Sequence, residues 1–130
     1  MPISYSLDRP RQFVRTTVDG RVTVEDILGH LEAVRREQAL PYAELIDADG
    51  AARPFLSATD IWRAALQVKT AQLPAPFGPR AVIVRDDAAF GLTRIFTNIV
   101  SGFFPIEAFR SREQAEEWLS GWQPRPPGVA

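Results

Sequence analysis

The sequence predicts an α/β domain in the order β-β-α-β-α-β-α-β-α. Its central sheet is mostly parallel and flanked by helices, with an antiparallel hairpin at the N-terminus. Three observations carry this expectation. Ala81-Val82-Ile83-Val84 is an uninterrupted apolar run, as a strand covered on both faces requires. Short strand-like segments alternate with longer ones whose apolar residues recur at helical spacing. Capping pairs stand in front of the helical segments: Thr23 with Asp26, Ser57 with Asp60, and Ser111 with Gln114.

The elements follow in order. Ile3, Tyr5 and Leu7 alternate with polar residues, so the first strand buries one face. Asp8-Arg9-Pro10-Arg11 is turn chemistry, and Phe13 to Val18, rich in Val and Thr, returns as the second strand of a hairpin. Asp19-Gly20 interrupts the pattern. A helix starts at Thr23, carries Ile27, Leu28, Leu31 and Val34 on one side, and stops at Pro41. Leu45-Ile46-Asp47 centres a short buried strand from Leu45 to Ala48, and a strand after a helix points to parallel pairing. Asp47-Ala48-Asp49-Gly50 ends it. Ser57 opens a helix to Leu73, with Ile61, Ala65 and Val68 inward and Ala58 and Trp62 beside them. Pro74, Pro76, Gly78 and Pro79 form a stiff loop before the Ala81–Val84 strand.

Asp86 or Asp87 caps the next helix, which runs to Ser101. Leu92, Ile95, Phe96, Ile99, Val100 and Phe103 form its apolar stripe, with Thr93, Arg94, Thr97, Asn98 and Ser101 opposite. Pro105 belongs only at a strand's edge or first position, so Ile106 to Phe109 is a short last strand. Ser111 caps a final helix that turns Ala115, Trp118, Leu119 and Trp122 inward and stops at Gly121. Residues 1–122 make the domain, and the Pro-rich tail 123–130 is expected to be disordered.

The chain has 130 residues, 45% hydrophobic and 24% charged, the balance of one soluble globular domain. Lys and Arg total 15 against 16 Asp and Glu, a formal charge of −1. That balance excludes a strongly basic nucleic-acid binder and a polybasic membrane anchor. No apolar run approaches the roughly 20 residues of a membrane span, and the N-terminus lacks signal-peptide character, so the expected location is cytoplasmic. The absence of cysteine excludes disulfides, thiolate metal sites and Cys nucleophiles. His30 is the only histidine, which argues against a His-based triad; at the edge of the first helix's stripe it reads as a partly buried structural residue. No cofactor is expected.

Several stretches together resemble the SpoIIAA-like family, related to STAS (anti-sigma-factor-antagonist) domains and to the Sec14-like lipid-binding fold. They are Asp19-Gly20-Arg21-Val22-Thr23 into Asp26-Ile27-Leu28, Leu45-Ile46-Asp47, Arg80 to Val84 followed by Phe90 to Phe96, and Phe109-Arg110 leading to Glu113-Gln114-Ala115 and Trp118-Leu119. The resemblance spans nearly the whole chain before the tail. It implies a regulatory or protein-interaction domain that acts by binding, without catalysis. In many STAS domains a Ser at the start of the helix after the central strand is phosphorylated to release a partner. The matching position is Ser57, with Thr59 as a weaker alternative. The Asp-Ser-Ser-Gly type motif of true antagonists is absent, and a loop with Pro54 and Phe55 takes its place.

Three sets of residues are site candidates. Ser57 is a possible phosphoacceptor, although an N-cap explains it fully. Asp47 and Asp49 after one central strand, with Asp86 and Asp87 after the next, mark a possible ligand cleft beyond the strand C-terminal ends. Clustered carboxylates there would suit Mg²⁺ and an enzymatic reading, yet each is also explained as a turn residue or a cap. Trp62, Phe90, Arg94, Phe103 and Phe104 offer aromatic and Arg side chains for an interface, with a protein partner or a second copy of the chain. The alternative to an interaction module is a carrier of a small apolar molecule or lipid, held in a cleft lined by Phe55, Trp62, Phe77 and Phe90. Neither nucleic acid nor membrane insertion is expected.

Overall fold

A computed structural model describes residues 2–53, 56–74, 76–102 and 104–123. The order of elements is β1 (Ile3–Asp8), β2 (Phe13–Gly20), α1 (Val24–Arg36), β3 (Ala43–Ala51), α2 (Ala58–Thr70), β4 (Arg80–Ile83), α3 (Asp87–Val100), β5 (Ile106–Phe109) and α4 (Arg112–Gly121). The five strands form one sheet in the order β1-β2-β3-β4-β5. β1 and β2 are antiparallel, and every later pair is parallel. The expected α/β architecture is therefore the observed one. Helices α1, α2 and α3 pack along one face; α4 covers β3, β4 and β5 on the other.

Period-two alternation sorts the strands between these faces. Val14, Thr16 and Val18 of β2, Glu44, Ile46 and Ala48 of β3, and Arg80 and Val82 of β4 face α1–α3. Leu45, Ala81 and Ile83 face α4, where they meet Ala115, Trp118 and Leu119. The apolar run Ala81–Val84 is buried throughout, as expected, but β4 itself is Arg80–Ile83 and buries a charged residue, Arg80, at its first position.

The caps form as the sequence implies. Thr23 and Ser57 each make a reciprocal capping box, with Asp26 and Asp60 in the third helical position. Asp86 caps α3 by accepting from the Ala89 N–H, and Ser111 caps α4 through Gln114. Element ends differ more. β2 runs on through Asp19 to Gly20, where a φ of +87° suits glycine, and Asp19 donates its N–H to the Pro2 carbonyl. β3 does not stop at Ala48: Gly50 and Ala51 still pair with Asp19 and Gly20, beyond a register shift after Thr17. α2 ends at Thr70, short of Leu73. α1 ends at Arg36, well before Pro41, because Gln38 takes a left-handed φ of 59° and its N–H turns back to the Arg35 carbonyl. A side chain in that conformation costs about 1–2 kcal/mol, part of which glycine recovers. Gln38→Gly is therefore expected to raise stability by about 0.5 kcal/mol in urea unfolding.

α3 departs from its expected orientation. Thr93 and Thr97 are buried with Ala89 and Val100, whereas Ile95 is 37% exposed. The hydroxyls allow this by donating within the helix, Thr93 to the Ala89 carbonyl (2.7 Å) and Thr97 to the Arg94 carbonyl (3.1 Å). Both residues then pack as small, nearly apolar groups. Of the expected pair Phe103-Phe104, Phe104 is core, 3% exposed, with its ring 5.1 Å from that of Phe77. Phe103, Pro54, Phe55 and residues 124–130, which include most of the expected tail, lie outside the described residues. No helix among the described residues is long and apolar enough to cross a membrane.

Candidate functional site

The register of the sheet builds an enclosed polar cluster. Val14, Glu44 and Arg80 are direct cross-strand partners on β2, β3 and β4. Glu44 and Arg80 are each only 1% exposed. Arg80 Nε lies 3.0 Å from Glu44 Oε1. The other carboxylate oxygen, Oε2, accepts from the Thr16 hydroxyl and lies 2.7 Å from Nε2 of His30, which α1 lowers onto the sheet. The edge of Tyr5 holds the His30 ring, with centroids 5.4 Å apart.

Arg80 is anchored from behind. Its Nη1 donates to the Leu40 carbonyl (3.1 Å) and the Gly78 carbonyl (2.8 Å), and its guanidinium stands 5.2 Å from the centre of the Phe104 ring. Its Nε and Nη2 are buried without a hydrogen bond among the described residues, so Nε meets Glu44 as an ion pair and not in hydrogen-bond geometry. Burial pushes the Arg80 guanidinium below its ordinary pKa, and the Glu44 charge opposes that shift. For Glu44, burial pushes upward, but the His30 hydrogen bond, the Arg80 charge and the Thr16 hydroxyl together outweigh it and hold the carboxyl below its ordinary range.

The sign of the pH dependence follows. A carboxyl with a lowered native pKa contributes stability that is complete above its unfolded value, near 4.5, and disappears as pH falls through the native one. Exposed pairs such as Glu32 with Arg35 contribute to the same acid limb but are screened by salt. Acid unfolding in about 1 M salt is therefore expected to retain a step that a Glu44→Gln/Arg80→Met double variant lacks. An unchanged acid limb in that variant would contradict the assignment.

Beside this cluster a cavity of about 120 Å³ lies between the sheet and helices α1, α2 and α3. Ile46, Ala48, Val68, Val82, Phe96 and Ile106 make most of its apolar wall, and Thr16, His30, Glu44, Arg80 and Thr93 are its polar residues, the Thr93 hydroxyl being turned to the Ala89 carbonyl. The sheet contributes alternate residues of β2, β3 and β4 and one residue each from β1 and β5, and helices α1, α2 and α3 each contribute inward residues.

The candidates from sequence fall elsewhere. Ser57 is a capping residue whose oxygen accepts from the Asp60 N–H at 3.1 Å, and Thr59 is exposed in the first turn of α2. The four aspartates each meet a different arginine: Asp47 with Arg112 (3.1 Å), Asp49 with Arg85 (2.7 Å), Asp86 with Arg53 (2.9 Å) and Asp87 with Arg110. Among the described residues no group of three or more acidic or His side chains converges as a metal site would need. On the proposed interface, Trp62 is 52% exposed and Arg94 is exposed, but Phe90 is half-buried under the Arg110 guanidinium at 4.3 Å, and Phe104 is interior. Leu66, one turn after Trp62, is the exposed apolar neighbour that sequence reasoning missed. Of the residues expected to line a cleft, Trp62, Phe77 and Phe90 are not part of the lining of the cavity beneath the helices, and Phe55 lies outside the described residues.

Glu44 and Arg80 were likewise not legible as a pair. A charge at the first or second position of a strand reads as a solvated end. Only the parallel register of β3 and β4, which puts both at one inward level, reveals them.

No protein-family model matches the sequence, and no curated protein matches it. Among solved structures, the chain is similar to an uncharacterized protein of the DUF3478 family with a SpoIIAA-like fold from Shewanella loihica PV-4. That similarity has a TM-score of 0.58 at 20% sequence identity and covers 90% of this chain and 93% of the other. With five strands in sequential order, a leading antiparallel hairpin and four helices divided between two faces, this chain has the SpoIIAA-like fold.

Proposed function

We propose that this chain is a non-catalytic binding domain that takes up a small apolar molecule in the cavity between its sheet and helices α1–α3. The observation that carries this reading is an apolar chamber with a few polar groups gathered on its wall, the usual make-up of a small-molecule site. Its volume is of the order of the dry, apolar engineered cavity of about 150 Å³ known to take benzene. The polar set favours binding over reaction. His30 and Thr16 both turn to Glu44, so no base is free to activate the Thr16 hydroxyl, and Glu44 is a weakened base.

The test is thermal unfolding with benzene near its solubility limit. A ligand specific to the folded state stabilises it by mass action, so the midpoint should rise by several degrees. In Ala48→Leu, which extends a side chain into the chamber, the rise should vanish. No rise in the unmutated protein would end this reading.

A second reading, a protein-interaction module, is favoured by one observation: Trp62 and Leu66 are each 52% exposed on successive turns of α2, and Ile95 is exposed on the neighbouring α3. Regulation through such a face would fit the same fold. Trp62→Glu/Leu66→Glu should then abolish any oligomer seen in sedimentation; an unchanged mass distribution would remove a second copy of the chain as the partner.

A further inference from the structure

The first strand leaves one edge of the sheet open. β1 stands at the end of the strand order and pairs with β2 alone. The Asp19 N–H donates to the Pro2 carbonyl. Hydrogen-bonded pairs alternate along an antiparallel ladder, so Ser4, Ser6 and Asp8 continue that set with Thr17, Arg15 and Phe13. The N–H and C=O groups of Ile3, Tyr5 and Leu7 therefore point away from the sheet, and they have no hydrogen-bond partner among the described residues.

Proteins usually blunt such an edge with a charge, a Pro, a bulge or a very short strand. The opposite edge is blunted: β5 is four residues long, follows Pro105 and carries an exposed Glu107. β1 has none of these devices between Ile3 and Leu7. That stretch holds no charge and no Pro, and it pairs with β2 without a register shift. Ser4 and Ser6 are small and exposed, while Ile3, Tyr5 and Leu7 are only half-buried, which leaves apolar surface along the open side.

The strand is also complementary to itself. A two-fold axis beside Tyr5, perpendicular to the sheet, sets β1 antiparallel to a second copy. Ile3 then lies opposite the partner's Leu7, Tyr5 opposite the partner's Tyr5, and Ser4 opposite the partner's Ser6. Every outward N–H faces an outward C=O in that register. Ile3 and Tyr5 lie on the helix side of the sheet, beside the cavity and against His30, so the apolar side chains pair there and the serines on the other face. Asp8 falls opposite the partner's Pro2, so no like charges meet. A formal charge of −1 adds little repulsion between copies. We propose that this chain forms a homodimer by antiparallel pairing of β1 with β1 of a second copy, so that one sheet runs through both.

The test uses the full chain. Sedimentation equilibrium should show a dimer, and the Ile3, Tyr5 and Leu7 amides should exchange slowly although nothing in their own chain accepts from them. Ser4→Lys/Ser6→Lys alters two exposed side chains and sets Lys against Lys across the axis. Its dimer Kd should rise by about tenfold or more, with fast exchange at those three amides and continued protection at residues 4 and 6, which bond to β2. Ser4→Glu/Ser6→Glu should weaken the dimer likewise, and an equimolar mixture of the two variants should restore it with one chain of each kind.

A monomeric unmutated chain would overturn the proposal. So would a dimer whose Kd neither variant changes, or one that Trp62→Glu/Leu66→Glu abolishes while the lysines leave it intact, which would place the contact on α2. Failure of the mixture to restore the dimer would overturn the register that sets Ser4 against the partner's Ser6. The mass and the exchange pattern of the unmutated chain decide the matter even if a variant fails to fold.

Discussion

Arg80→Met is expected to cost about 3–5 kcal/mol, the largest loss from any single side-chain truncation in this chain. The Met side chain fills much of the same space, so packing is not the main loss. Glu44 is left as a buried carboxylate without its cation, and removing one partner of a buried pair has a cost of that size. The Leu40 and Gly78 carbonyls also lose the donor they share. Glu44→Gln/Arg80→Met should recover more than half of the loss, because it removes both charges and keeps an amide oxygen for Thr16 and His30. Urea unfolding of the two single variants and the double gives the coupling directly. A loss below about 1 kcal/mol for Arg80→Met, or a double variant no better than the single, would contradict the buried-pair description.

Gly78→Ala should be nearly as damaging, although it adds one methyl group. A Cβ at this position would stand 2.2 Å from the Tyr42 carbonyl oxygen and 2.4 Å from that of Pro41. Both obstacles are main chain and cannot rotate away. The segment cannot shift freely either, because the Gly78 N–H donates to Leu40 and its carbonyl holds Arg80. Overpacking usually costs about 1–3 kcal/mol, and a clash with rigid backbone belongs at the upper end or beyond. Gly91→Ala, at a helical position where a Cβ meets nothing within 4 Å, is the control and should be neutral or stabilising. Equal stability of the two variants would show that the loop before β4 adapts in a way the structure does not suggest.

What the sequence made legible was whatever local chemistry determines. Capping pairs located three helix starts, and Asp86-Asp87 located that of α3 to within one residue, since the Ser, Thr or Asp side chain has one job that needs only its own helix. The apolar run of β4 identified the buried strand from composition alone. Helix and strand ends were less legible, because they depend on partners: β3 is extended past Ala48 by pairing with β2, and α1 is cut short by the turn at Gln38. The rotation of α3 was misread because Thr looks polar in a sequence, yet satisfies its own hydroxyl in a helix and then packs like a small aliphatic residue. The site was the least legible of all. His30 read as a structural residue, and its carboxylate partner lies 14 residues away on a different element. The four aspartates drew attention because they cluster in sequence near strand ends, but each is spent on a surface arginine.

The most direct measurement is a methyl-resolved NMR titration of the full chain with benzene. Ile46, Val68, Val82 and Ile106 line the cavity from two strands, a helix and the sheet edge, and should shift together and saturably, with contacts from the ligand to each. Leu66 and Ile95, exposed on the outer side of α2 and α3, should stay still. Shifts confined to Leu66 and Ile95, or no saturable shift at the four interior methyls, would contradict the claim that this fold encloses a binding site.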